Sequence, residues 1–471
     1  MLPAKSIAAH LPTTGKVIPL RLSKSVKAGY GAAELGTAAV ELFLQIYLLK
    51  FYTDVVGLSP RTAGFALALA VIWDAVSDPL MGGLSDKTHS RWGRRRPYIL
   101  AGALLLAGAY VLLFNPPVLV TETGKFTFLL VGYLVVNTAM TLLSVPHAAL
   151  GGELTRDADE RTEVFGWRFF FANLGLVFGI LVPGILAAGL AEGQSPAGPS
   201  APWIAGAVVL SALVTLFATR RHDRSQPGDG FSLGDFWRSL RAVLLNKPFI
   251  PLLVAFVVGS LGRTLNASIA LFYYDHRLNL PEAQVFLYVL LPFTFVIALS
   301  IVGWTLIARR AGKKMPAFWG ILLLGLGTCV AYPLFPPGQI LPVVFAGIVG
   351  GFLVGSIFLL DATVADMVDY DELKSGAHRE GIYFGFWRMG SKLARALGLA
   401  LSGLLLEGIG FEIEATTQSD ETVRGLALIF GPGVGIFFVA AAFIYLAMPL
   451  TKEKVAIVQR RLRRREQRRV S

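Results

Sequence analysis

Gly82–Pro97 reads GGLSDKTHSRWGRRRP, and Gly303–Pro316 reads GWTLIARRAGKKMP. Each has a glycine, a short spacer, basic residues, a second glycine, further basic residues and a proline. A second pair of stretches repeats at a similar offset. Glu160–Arg168 reads ERTEVFGWR and Arg379–Arg388 reads REGIYFGFWR, so Arg168 and Arg388 stand at equivalent places 220 residues apart. Two matches at nearly one offset divide the chain into two related halves.

Working outward from these turns, the flanking sequence is apolar in long runs. Of 471 residues 54% are hydrophobic, only 16% are charged and 50 are glycine, with a mean hydropathy of +0.60. Scanning gives twelve uninterrupted apolar spans, the first at 28–57 and the last at 423–449. Each is long enough to cross the roughly 30 Å hydrocarbon layer as a helix. The expected fold is an all-α membrane protein. Two parallel six-helix halves, with a site at the midplane between them, are the plan of a major facilitator transporter. The boundaries read as a cytoplasmic N-terminal segment at 1–27, a first bundle at 28–219, a linker at 220–248, a second bundle at 249–449 and a basic tail at 450–471. In the linker, FSLGDFWRSLRAVLLNKPF sets Phe236, Leu240, Val243 and Leu244 against Arg238 and Arg241, as in a helix lying on the membrane surface. The single cysteine, Cys329, excludes an internal disulfide and reads as a packing residue.

The formal charge of +12 is explained by its placement. Lys and Arg gather in the terminal segments and even-numbered loops, while the opposite loops hold Arg61, Lys125, Arg277 and Arg424. The positive-inside rule then puts both termini in the cytoplasm, in a multi-pass protein of the plasma (inner) membrane. The tail, with Arg460, Arg461, Arg463, Arg464 and Arg465, is expected to meet anionic lipid rather than nucleic acid. The first 27 residues show no removable signal peptide pattern. No zinc-type histidine cluster, nucleophile–base pair or phosphate loop suggests an enzyme, and no cofactor is expected. The chain is expected to work as a monomer.

A charge within the hydrocarbon costs on the order of 2.5 to 3.5 kcal/mol unless it faces a cavity or a partner. Intramembrane charges are therefore the functional pointers: Glu34, Glu41, Asp74, Asp78, Arg168, Arg263, Asp361, Asp366, Arg388, Lys392, Arg395 and Glu407. Asp74 and Asp78 fall four apart on one helix face, with Ser77 beside them. So close a pair needs a shared proton, a cation or a basic neighbour. Sodium would suit these oxygens, with hydroxyls from Thr141 and Ser144; a structural salt bridge is the plainer alternative. Arg388, Lys392 and Arg395 share one face of the eleventh span and supply counter-charge. Glu34, Glu41 and Gln45 form a stripe on the first span around Ala38. Asp361 sits mid-span with no obvious local partner, and His147, next to Pro146, reads as a satisfied helix residue. The basic turn, with Asp86, Arg91, Arg94, Arg95 and Arg96, suits a cytoplasmic latch whose ion pairs form in one conformation and break in another.

YTDVVGLS at Tyr52–Ser59, WDAVSDPLMG at Trp73–Gly82, SRWGRRRPYIL at Ser90–Leu100, the stretch from Pro146 through Arg168, and VADMVDYDELKSG at Val364–Gly376 carry a family likeness over most of the chain. Together these resemble the glycoside-pentoside-hexuronide:cation symporter family. The resemblance implies alternating-access symport of a small solute with sodium, lithium or a proton. It implies a cation site of Asp74, Asp78 and Thr141, with Ser77 where the family has an asparagine. It likewise implies that Lys392 looks towards both sites and that Arg168 lines the sugar site. Some positions depart from the family: an aspartate of the first span is Ala38, one of the fourth span is Ser144, and an aromatic platform is Ala148. Glu34 and Glu41 are the candidates to replace that sugar-binding set. The family's wider relatives include lysophospholipid symporters similar at the cation site, so an amphipathic solute is the alternative to a glycoside.

Overall fold

The structure is a computed structural model that describes residues 22–470 apart from 89, 156–157, 192–193, 221–245, 376–379, 414 and 416, together with the side chains of most of these. The described residues contain twelve helices long and apolar enough to cross a membrane. The first six are α1 (Lys24–Val55), α2 (Pro60–Lys87), α3 (Arg96–Phe114), α4 (Glu122–Glu153), α5 (Ala158–Gly189) and α6 (Ala197–Thr219). The second six are α7 (Phe249–Arg277), α8 (Glu282–Ala311), α9 (Lys314–Leu334), α10 (Ile340–Lys374), α11 (Glu380–Gly408) and α12 (Asp420–Leu446). The tail forms α13 (Lys452–Val470). The surface helix expected in the linker lies outside the described residues.

Local chemistry starts the helices where the sequence places small hydroxyls. Ser23 accepts the Val26 N–H at 3.3 Å before α1. Ser59 accepts the Thr62 N–H at 3.4 Å before α2, with Pro60 in the first helical position. Ser419 does the same for α12 through the Thr422 N–H at 3.1 Å. Each satisfies one of the donors a helix start leaves unpaired. The tenth span runs eight residues past its expected end at 366 because Asp366, which closes the apolar run, is buried against Lys313 at 2.7 Å.

Lipid tails are as apolar as leucine, so packing and close backbone approach, rather than water exclusion, hold such helices together. The two sets of six meet where α1 packs on α7, α2 on α11 and α5 on α8. The α2–α11 seam is very tight. A Cβ at Gly403 would lie 2.2 Å from the Pro60 carbonyl oxygen, and one at Gly64 would lie 2.6 Å from the Leu399 carbonyl oxygen. Only glycine permits this approach, which brings the basic face of α11 within reach of the aspartates of α2. With twelve crossings the start of α1 and the tail helix α13 lie at one end, called the basic end below; the other is the far end.

Candidate functional site

Asp74 and Asp78 lie one turn apart on α2 and face α4 and α11. The Thr141 hydroxyl stands 3.0 Å from Asp74 Oδ1 and 2.9 Å from Asp78 Oδ1. Ser77 Oγ is 3.3 Å from Thr141 Oγ1. From α11, Lys392 enters the fork between the carboxylates: Nζ is 2.9 Å from Asp74 Oδ2, contacts Asp78 Oδ2, and lies 3.3 Å from the Asp74 carbonyl. Two features follow. One hydroxyl has a single proton, so Thr141 can donate to only one of the carboxylates it touches. Two carboxylates against one ammonium also leave the cluster one positive charge short. A proton or a monovalent cation would remove both deficits. Ser144, a turn along α4 from Thr141, is half-buried.

The remaining sequence candidates separate into smaller groups. Glu34 on α1 pairs with Arg168 on α5, and His147 on α4 stands with Nδ1 3.4 Å from the same carboxylate. His147 Nε2 lies 2.8 Å from the Tyr30 carbonyl, so that nitrogen carries the donated proton. Arg168 is thus neutralised within the first six helices. Glu41, one turn past Ala38, is exposed and lies 3.5 Å from Arg395, whose guanidinium donates to the Tyr133 hydroxyl at 3.0 Å. Asp361, for which no partner was legible, accepts the Trp387 indole N–H at 2.6 Å, and that indole stacks on Phe256 at 3.7 Å between centroids. Arg388 is exposed. The aspartates, Thr141 and Lys392 therefore form one cluster across α2, α4 and α11, Glu41, Arg395 and Tyr133 a second across α1, α4 and α11, and Glu34 and Arg168 a separate pair.

In the basic turn, Arg94 and Arg95 converge on Glu153 of α4, Arg95 at 2.8 Å. Arg96 donates to the Leu216 and Trp92 carbonyls, each at 3.0 Å, and Arg91 is exposed. The Asp86 side chain lies outside the described residues. Every one of these contacts stays within the first six helices.

A cluster at the far end was missed by sequence reading. Lys50, 5% exposed, lies 2.6 Å from Asp54 on its own helix, 2.7 Å from Asp275 of α7 and 3.7 Å from Glu282 of α8. The Tyr47 hydroxyl donates to Glu282 at 2.7 Å, and His276 Nε2 stands 3.6 Å from Asp54. The signal that would have found it is a third internal match. Phe51-Tyr52-Thr53-Asp54 and Phe272-Tyr273-Tyr274-Asp275 correspond, each six residues before a proline, at Pro60 and Pro281. Both stretches wind as a wide π turn at a helix end. Asp54 and Asp275 are thus repeat mates that share one lysine.

A cavity of about 640 Å³ is walled mainly by α7, α8, α9 and α10, with α1 and α5 of the first set closing one side. Its polar lining includes Gln45 of α1, Asn173 of α5 and Arg263 and Asn266 of α7; most of the remaining wall is apolar. A volume of this size suits a small-molecule ligand.

Comparison with known proteins agrees with this architecture. The family described as "MFS/sugar transport protein" matches residues 29–452. The isoprimeverose transporter of Lactiplantibacillus pentosus is 27% identical over 85% of this chain and 83% of its own length. The sodium-dependent lysophosphatidylcholine symporter 1-A of Danio rerio is 27% identical over 88% and 83%. The crystal structure of nucleoside transporter NupG superposes with a TM-score of 0.65 at 14% identity, covering 90% of this chain and 100% of that one. At that identity the likeness speaks for the fold.

Proposed function

The chain belongs to the MFS/sugar transport protein family, and from that premise we propose that it is a secondary transporter carrying a sugar or glycoside across the membrane together with a monovalent cation, by alternating access. The observation that carries the coupling is the single-charge deficit at Asp74, Asp78 and Lys392. In the conformation described, Lys392 stands where a coupling ion would sit. A cation arriving between the aspartates would free the lysine towards the central cavity, and its departure would draw the lysine back. The exchange links ion occupancy to the surface a solute meets, since α11 also carries Arg395, which pairs with Glu41 of α1, the helix whose Gln45 lines that cavity. Sodium and a proton both satisfy the charge count.

The basic end is assigned to the cytoplasm, because Arg94, Arg95, Lys313 and the α13 arginines collect there. The membrane is then the plasma (inner) membrane, with a monomer as the working unit and no nucleic-acid partner. Likeness to a lysophosphatidylcholine symporter and the apolar wall of the cavity support a second reading, an amphipathic solute at the same coupling site.

The test is uptake by the purified protein in proteoliposomes, using labelled glycosides beside a lysophospholipid, with and without an inward sodium or proton gradient. Gradient-stimulated glycoside uptake is expected. Uptake of every solute at the same rate with and without either gradient would reject symport.

A further inference from the structure

Arg263 stands at the middle of α7 and is the one charged side chain among the described residues lining the 640 Å³ cavity. It is exposed to that space and makes no hydrogen bond or ion pair among the described residues. The carboxylates whose charge reaches it are Asp361 and Glu41. Both are engaged elsewhere: Asp361 accepts from Trp387 at 2.6 Å, and Glu41 lies 3.5 Å from Arg395. A guanidinium at this depth is tolerated when a cavity or a partner receives it, and no protein group serves as that partner. Gln45, Asn173 and Asn266 share the wall and offer amide donors and acceptors, while Phe293 and Phe345 belong to its apolar side.

The geometry points to a solute that carries an oxyanion, a carboxylate or a phosphate, bound by Arg263, with an apolar group lying along the opposite wall. The inference rests on the symport reading and narrows its substrate class. Guanidinium pairs with either oxyanion through two parallel N–H···O bonds, which a neutral hydroxyl cannot match. The amides beside it suit the hydroxyls of a sugar or a glycerol backbone. An aryl glucuronide and a lysophosphatidate both have this chemistry, one placing the anion on a sugar and the other on a lipid head.

The experiment uses two readouts. Thermal stabilisation of the full-length protein in detergent is measured with an aryl glucuronide, the matched neutral aryl glucoside and lysophosphatidate, and does not depend on coupling. Gradient-driven uptake of the same compounds is measured in proteoliposomes. At least one anion is expected to bind about 10- to 100-fold more tightly than the glucoside, the range of a lost charge-assisted hydrogen bond. Arg263→Gln should remove that preference and Arg263→Lys should restore part of it. The preferred anion identifies its source. Equal binding of neutral and anionic compounds by the wild type, or a preference that survives Arg263→Gln, overturns the inference. Loss of gradient stimulation with the anion preference intact would instead reject symport and leave the anion site standing.

Discussion

The two ends of the molecule are both rich in ion pairs, but the pairs connect different things. At the far end Lys50 of α1 reaches Asp275 of α7 and Glu282 of α8, so one buried ammonium ties the first six helices to the second six. At the basic end Lys27 pairs with Glu160 and Glu163, Arg94 and Arg95 with Glu153, and Lys313 with Asp366. Each of these joins helices within one set. Among these pairs, then, charge crosses the seam at the far end and stays within one set at the basic end. Density of charge does not mark a gate; a gate needs partners on opposite sides of the seam. The far-end cluster has this because it lies where the repeat mates of α1 and α7 meet.

The strongest way to break the comparison is Lys50→Ala. It leaves three carboxylates without their buried counter-charge, which typically costs about 3 to 5 kcal/mol. The far-end-closed state should lose population by roughly 150- to 5,000-fold on that figure. A cysteine at Asn266, introduced with Cys329→Ser, should then react far faster with an impermeant thiol reagent added at the far end. An unchanged rate would show that Lys50 does not hold the seam.

Gly403→Ala tests whether helix approach acts with charge. Its Cβ would meet the Pro60 carbonyl oxygen at 2.2 Å, an overpacking expected to cost about 1 to 3 kcal/mol. Far-end labelling should rise by roughly 10-fold, within that range of cost. A normal labelling rate would place the closure in the ion pairs alone.

Glu153→Gln sharpens the contrast from the basic end. It weakens the Arg94 and Arg95 pairings inside one set of helices, so about 1 to 2 kcal/mol of stability should be lost. The melting temperature should fall while far-end labelling stays at the wild-type rate. Faster labelling would mean that the basic cluster also spans the halves. Glu282→Gln should have the smallest effect, below about 1 kcal/mol. Its 3.7 Å contact with Lys50 is the longest of the three, and an amide oxygen can still accept from Tyr47.

The sequence made the spans legible because lipid imposes one rule on every crossing helix. The last span, expected at 423–449, is helical over Asp420–Leu446. The α10 end was obscured by Asp366, a charge hidden by Lys313 from α8–α9. Asp74 and Asp78 could be put on one face from their four-residue spacing, and the need for counter-charge pointed to α11. Depth in the span favoured Lys392 and Arg395 over Arg388, and the family resemblance pointed to Lys392; spacing alone did not choose, since the contact depends on how closely Gly64 and Gly403 let α2 and α11 approach. Arg168 and Glu34 were both visible as charges, but not as each other's partners, because they sit 134 residues apart on different helices. Lys50 was hidden inside an apolar run, with two of its three partners more than 220 positions away.

The central claim is that Asp74, Asp78 and Lys392 form the coupling site, one positive charge short. Its most direct test is Asp78→Asn in proteoliposomes, comparing gradient-driven accumulation with solute exchange at equal ion concentrations. The substitution removes the charge deficit while keeping an oxygen near Thr141. Accumulation should fall to the no-gradient level, with exchange retained. Gradient-driven accumulation equal to the wild type would contradict the account.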